Sequence, residues 1–177
     1  TDSVAGQIAT ALDFNGTSDY IEIDDSDLDD IGTFTKSMWI YPTGWGTDNA
    51  GIIYDKTGAP GGVSTSSQIR LLNGSGEQSI RTFANMTGTD AQSNASNNSI
   101  SLNTWQHIAV TLDDAGDDTL RIYVNGTEVS YATQTAGSGT FDDAASWDHH
   151  IGPGTTGGSG ARYFDGIIAV SYTHLRA

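Results

Sequence analysis

The chain has no cysteine, three prolines, two lysines and three glutamates in 177 residues. Without cysteine there is no disulfide framework, no thiolate metal site and no cysteine nucleophile. That absence leaves the redox compartment open, because many proteins on either side of a membrane manage without disulfides. No apolar run reaches the length of a membrane span. Nor does any stretch sustain the three-four spacing of a long amphipathic helix. The nearest approach is Asp25 to Ile31, read as one helical turn capped by Ser26.

Seven Lys and Arg stand against 22 acidic residues, giving a net charge of −15. Such a surface repels nucleic acid and anionic membranes and attracts cations, so a nucleic-acid partner and membrane insertion are both excluded as expectations. A bland reading of the charge is solubility in a salty setting. Length fits one domain able to bury roughly 70% of its unfolded surface. Thr1 takes the place of an initiator Met, which reads as a fragment of a longer, exported protein.

Apolar residues alternate or bunch in short runs rich in Ile, Val, Thr, Tyr and Trp, the pattern of strands. Strands are predicted over 8–14, 18–23, 33–41, 51–56, 67–72, 79–84, 105–112, 119–124, 127–132, 147–151 and 163–170. Asn125-Gly126 between Ile122-Tyr-Val124 and Glu128-Val129 is a hairpin signal, since the pair supplies the positive φ angles of a type I′ turn. The connections 43–50, 57–66, 87–99, 133–146 and 153–161 are long and rich in small residues, so the site is sought there or on the sheet they border.

Four segments carry a resemblance: Ala11-Leu-Asp-Phe-Asn-Gly-Thr-Ser-Asp-Tyr-Ile-Glu-Ile23, Phe34-Thr-Lys-Ser-Met-Trp-Ile-Tyr-Pro42, Thr104-Trp-Gln-His-Ile-Ala-Val-Thr-Leu112 and Leu120-Arg-Ile-Tyr-Val-Asn-Gly126. In that order and spacing the chain resembles the laminin-G-like modules of the concanavalin A-like lectin and glucanase superfamily. The resemblance implies an all-β, antiparallel, two-sheet jelly-roll sandwich in a single domain over residues 1–170. It also places Trp39 and Trp105 at core positions. After Phe164-Asp-Gly166 the family continues with an acidic residue and a closing strand, whereas this chain has Ile167-Ile-Ala-Val170 and then Ser171–Ala177. Residues 171–177 resemble translated sequencing-adapter read-through from a metagenomic gene prediction and are set apart as a doubtful tail.

Glycosidases of this superfamily carry paired carboxylates, commonly as Glu-x-Asp-x-x-Glu. Glu22-Ile-Asp24 is followed by Asp27 where that motif needs Glu, and no Gly-x-Ser-x-Gly elbow occurs, so no catalytic residue and no enzyme activity are expected. His149 and His150 are adjacent and on a strand point to opposite faces, so they do not share an ion. The resemblance implies one structural calcium where the first and last strands meet, with Asp13, Asn15 and Asp165 as ligands. A second acidic group is Asp24-Asp25-Ser26-Asp27 with Asp29 and Asp30, whose bland reading is a solvated turn. Six Asn-x-Ser/Thr sequons, at Asn15, Asn73, Asn85, Asn94, Asn97 and Asn125, read as a product of composition.

Sugar-binding sandwiches use aromatic rings with a few amide, carboxylate and Arg groups. Trp45 in the Gly44-Trp-Gly46 loop and Trp147 beside Asp148 are the loop aromatics, and Tyr54 and Arg81 are expected to line the open face of a sheet, with Asp55, Arg70 and Asn85 as neighbours. The ligand site is therefore expected at Trp45, Trp147, Asp148, Tyr54 and Arg81. The expected role is a non-catalytic carbohydrate- or protein-binding module of a larger extracellular or cell-surface protein. A structural or adhesion domain without a small ligand, and a glycoside hydrolase, are the alternatives.

Overall fold

A computed structural model describes residues 1–7, 10–24, 32–57, 65–142, 147–152 and 162–175, with side chains in the last segment to residue 169. Fourteen strands form two antiparallel sheets of seven. They are β1 (Asp2–Ala5), β2 (Thr10–Asn15), β3 (Ile21–Ile23), β4 (Phe34–Pro42), β5 (Ile52–Thr57), β6 (Thr65–Leu72), β7 (Ser79–Ala84), β8 (Ala91–Ala95), β9 (Gln106–Leu112), β10 (Arg121–Val124), β11 (Thr127–Glu128), β12 (Tyr131–Thr135), β13 (His149–Ile151) and β14 (Asp165–Leu175). The first sheet runs β1-β2-β14-β4-β9-β10-β11 and the second β12-β8-β7-β6-β5-β13-β3.

Period-two burial explains which face of each strand is inside. In β4, Phe34, Lys36, Met38, Ile40 and Pro42 are buried while the residues between them are partly exposed. In β9, Ile108, Val110 and Leu112 alternate in the same way, and β6 and β7 contribute Ile69, Leu71, Ile80 and Ala84 from the facing sheet. Each such side chain taken from water contributes about 1.5–3 kcal/mol before the entropy of ordering it is counted.

The hairpin reading holds: β10 pairs with β11 around Asn125 (φ 51°) and Gly126 (φ 79°), as a type I′ turn requires. Phe164-Asp165-Gly166 also acquires a reason. Phe164 is buried edge-on to Phe14, with ring centres 6.2 Å apart, and Gly166 has φ 138° where a Cβ would lie 2.3 Å from the Tyr41 carbonyl oxygen.

Several expectations are corrected. The segment 87–99, expected as loop, contains β8, whose Ala91, Ser93 and Ala95 are buried at period two. It carries no β-branched or aromatic residue, so its strand signal is weak. β1 was not anticipated, and the expected strand 127–132 divides between sheets as β11 and β12. β14 continues through part of the tail, pairing Tyr172 to Leu175 with Ser37 to Phe34.

Trp39 and Trp105, expected in the core, are half-buried on the outer face of the first sheet. Trp39 lies edge-on to His107 at 5.3 Å and Trp105 packs on Tyr41 at 5.5 Å. Trp39 occupies the out-of-phase position beside buried Met38 and Ile40, so alternation decides against it. The helical turn expected at Asp25 to Ile31, the acidic run from Asp25 to Asp30 and the loop 153–161 lie outside the described residues.

Candidate functional site

The face of the second sheet that points away from the core is polar, and strand register shows which side chains share it. Residues directly opposite one another on antiparallel strands project to the same side. One transverse row runs Glu22, His150, Asp55, Gln68, Phe83 and Gln92 across β3, β13, β5, β6, β7 and β8. The next row runs Ile52, Arg70, Arg81, Asn94 and Thr133 across β5, β6, β7, β8 and β12. Tyr163 bridges to Ile52 in that row, and the preceding Arg162, whose carbonyl accepts from the Ile52 amide at 2.9 Å, lies near enough for its charge to act on Arg70 and Arg81.

Three arginines therefore meet on one face of a strongly acidic chain. Arg81 donates from Nη2 to Gln92 Oε1, and Asn94 donates to Thr133 Oγ1 at 2.9 Å. The Nε atoms of Arg70, Arg81 and Arg162 and the Oδ1 of Asn94 are buried without a hydrogen-bond partner. No described carboxylate lies within ion-pair distance of any of the three guanidiniums.

Burial, followed by the charges of Arg81 and Arg162, lowers Arg70 to about 10, with Asp55 opposing the change. Arg81 is lowered by burial and then by Arg162. Asp55 has no exposed surface, and burial pushes its carboxyl up to about 7 against the opposing pull of Gln68, Lys36, the Lys56 backbone and Arg70. At the other end of the face, His150 Nε2 lies 3.4 Å from Glu22 Oε2, and Tyr20, 47% exposed, tilts against the His150 ring at 6.1 Å.

Of the expected ligand residues, Arg81 is on this face and Tyr54 is not. Tyr54 points into the core, 5% exposed, with its hydroxyl 2.6 Å from His149 Nδ1. A bulge is the cause: Ile52 pairs with Arg70 but Tyr54 with Ile69, so the extra residue turns Ile53 and Tyr54 inward together. Trp45 folds back against the core, with its carbonyl accepting from the Gly51 amide at 2.8 Å. Trp147 and Asp148 are partly buried just before β13, and the Asp148 carbonyl accepts from the Thr57 amide at 3.3 Å. Asn85 lies past the end of β7 and donates to Asp142 Oδ2 at 3.2 Å.

His149 and His150 do face opposite ways, His149 toward Tyr54 and His150 toward Glu22. Both lysines point into the core. Lys36 donates to Ser67 Oγ at 2.7 Å and lies 4.1 Å from the ring centres of Phe34 and Tyr54, and burial, then Lys56, holds it well below the usual amine range.

For calcium, β2 and β14 place Asn15 opposite Asp165 and Asp13 opposite Ile167. Asn15 Oδ1, however, already accepts from the amides of Thr17 and Ser18 at 2.9 Å and of Asp19 at 3.3 Å, closing a turn. Asp165 Oδ1 accepts from Thr43 Oγ1 at 2.9 Å. Among the described residues no three His, Asp or Glu side chains converge. Calcium takes six to eight oxygens, so an ion held by these three residues would need further oxygens from the backbone or water.

The fold and this face define a β-sandwich whose second sheet turns a polar, partly exposed face away from the core. The chain belongs to the concanavalin A-like lectin/glucanases superfamily, whose laminin G family model matches residues 15–170. No curated protein matches the sequence. Among solved structures it is similar to domain 4 of AbnA, a GH43 extracellular arabinanase from Geobacillus stearothermophilus in complex with arabinotriose, at 17% identity and TM-score 0.61 over 97% of this chain and 73% of that one. It is also similar to the CBM40 of Ruminococcus gnavus IT-sialidase bound to α2,3 sialyllactose, at 12% identity and TM-score 0.65 over 93% and 90%. Mouse laminin α1 domains LG4-5 match at 13% identity and TM-score 0.65 over 98% of this chain and 44% of theirs. At these identities the likeness is one of fold. No described helix is long and apolar enough to cross a membrane.

Proposed function

We propose that this chain is a non-catalytic carbohydrate-binding module of a larger extracellular or cell-surface protein, and that it takes its ligand on the outer face of the second sheet. The observation that carries the reading is the in-register display of the partly exposed Gln68, Arg70, Arg81, Gln92 and Asn94 on the outer face of one sheet. Amide and guanidinium groups recurring at the strand spacing of about 4.8 Å supply several separate hydrogen-bonding points for sugar hydroxyls. Half-buried Phe83 and exposed Tyr20 give that surface two rings on which a pyranose can stack. Two of the similar structures hold an oligosaccharide on the same architecture, which supports the ligand class without naming the sugar.

A hydrolase needs two carboxyl groups that reach the bond. This face offers Glu22 and Asp55 two strands apart, and Asp55 has no exposed surface from which to reach a substrate. A glycan-array screen of the purified domain, followed by titration of each retained sugar, tests the proposal. Retention abolished by Gln92→Ala with Asn94→Ala, in protein of unchanged melting temperature, is the expected outcome. Release of reducing sugar would replace the binding reading with the enzymatic one. Silence from a folded sample would favour a structural or protein-adhesion role.

A further inference from the structure

The arginine cluster asks for more than hydroxyl groups. Seven cationic residues serve the whole chain, and three of them converge here. Arg70 and Arg81 are directly opposed, about 5 Å apart at Cα, as register partners are. Like charges this close repel, and burial removes the water that would screen them. Structural arginines on a sheet are ordinarily balanced by carboxylates, yet among the described residues only Asp55 acts on Arg70, and it forms no ion pair with any of the three. Arg121, on the first sheet, shows the balanced case, with its guanidinium paired to Asp117.

We propose that Arg70, Arg81 and Arg162 form a subsite for the carboxylate or sulfate group of an acidic saccharide, with Gln68, Gln92 and Asn94 reading the adjoining hydroxyls. This rests on the carbohydrate-binding reading above and adds the charge class of the ligand. The guanidinium fork presents parallel N–H donors that match a planar oxyanion, and no described carboxylate pairs with any of the three. Charge is placed against the trend of the molecule: a chain of net charge −15 gathers three of its seven cationic residues here. At physiological ionic strength the Debye length is about 8 Å, so an oxyanion there feels the arginines and little of the distant aspartates. The face is thereby selective, since neutral sugars leave the three positive charges unanswered.

The test measures binding by calorimetry for three acidic probes: a uronate trisaccharide, a sialylated trisaccharide and a sulfated disaccharide. Each is compared with its neutral counterpart, made by reducing the carboxyl to the alcohol or removing the sulfate. Wild-type protein is expected to bind at least one acidic probe at least ~10-fold more tightly than its counterpart, a factor within the reach of one charge-assisted pair. The probe that binds distinguishes a carboxylate from a sulfate.

Arg81→Gln and Arg70→Gln are expected to erase that preference, Arg81→Lys to keep part of it, and Arg121→Gln to leave it intact. Melting curves and circular dichroism accompany every variant so that loss of fold is not read as loss of site. Equal binding of acidic and neutral partners, unchanged in Arg81→Gln, would overturn the anionic subsite while leaving carbohydrate binding standing. Failure of the folded protein to bind any of the six probes would overturn both.

Discussion

Replacing Asp55 with Asn should stabilise the protein, and only above acidic pH. Burial raises this carboxyl from 3.8 to about 7 in the folded chain, whereas in the unfolded chain it titrates near its ordinary value. Between those two values the folded state holds a proton that the unfolded state has released. Stability therefore falls as pH rises through that window, and the penalty is complete above about 7. Each tenfold step in the equilibrium is worth 1.36 kcal/mol, so the full penalty is about 4 kcal/mol.

Asn keeps an oxygen toward Gln68 and never ionises. The variant should thus exceed wild type by about 4 kcal/mol at pH 8 and by less than about 1 kcal/mol at pH 4. Urea denaturation of both proteins at pH 4, 6 and 8 measures this difference. Because the comparison is between two otherwise identical chains, the titration of Lys36 and of the surface aspartates largely cancels. Parallel stability profiles, or a variant less stable at pH 8, would refute the reasoning. Either result would mean that Asp55 is ionised in the fold and that attraction to Arg70 outweighs burial.

Three other perturbations check the architecture. Ile40→Ala removes a side chain with no exposed surface and should cost about 2–5 kcal/mol, whereas Trp39→Ala, on the outer face against His107, should cost about 1–2 kcal/mol in the same denaturation assay. Gly152→Ala places a methyl 2.4 Å from Phe14 Cδ1 at a residue with φ 73°, so a loss of about 1–3 kcal/mol and a lower Tm are expected. Millimolar Ca²⁺ against chelator should leave Tm unchanged, because the Asn15 oxygen is spent on its turn; a rise that Asp165→Asn abolishes would instead place an ion where β2 meets β14.

The parts of the fold that were legible in the sequence are those where period-two alternation is strong and bounded by a turn. Phe34 to Pro42 and Gln106 to Leu112 are of this kind, and so is the hairpin at Asn125-Gly126. Alternation even places Lys36 in phase with Phe34, Met38 and Ile40, a signal that its charge faces inward. β8 was not legible, because small residues fit beneath a sheet without advertising hydrophobicity. The arginine row was half legible. Gln68, Arg70 and Leu72 alternate with Ile69 and Leu71, and Arg81 and Phe83 alternate with Ile80 and Thr82, so each strand announces its outer face. What one sequence does not announce is that Arg70 lies opposite Arg81, or that Arg162 arrives from 80 residues away, since both depend on pairing between strands.

The bulge in β5 shows how narrowly the site depends on register. Simple alternation from Ile52 would send Tyr54 outward and Asp55 between the sheets, which is the arrangement in which Tyr54 would line a ligand face. One extra residue reverses both. Tyr54 then turns inward to meet His149 and the Lys36 amine, and Asp55 turns outward beside Gln68 and Arg70. The same shift therefore places a ring against the buried amine and a carboxyl beneath the arginines. A carboxyl placed there has to sit without water, and this raises its pKa. The bulge thus decides on which face of the sheet the Asp55 carboxyl stands.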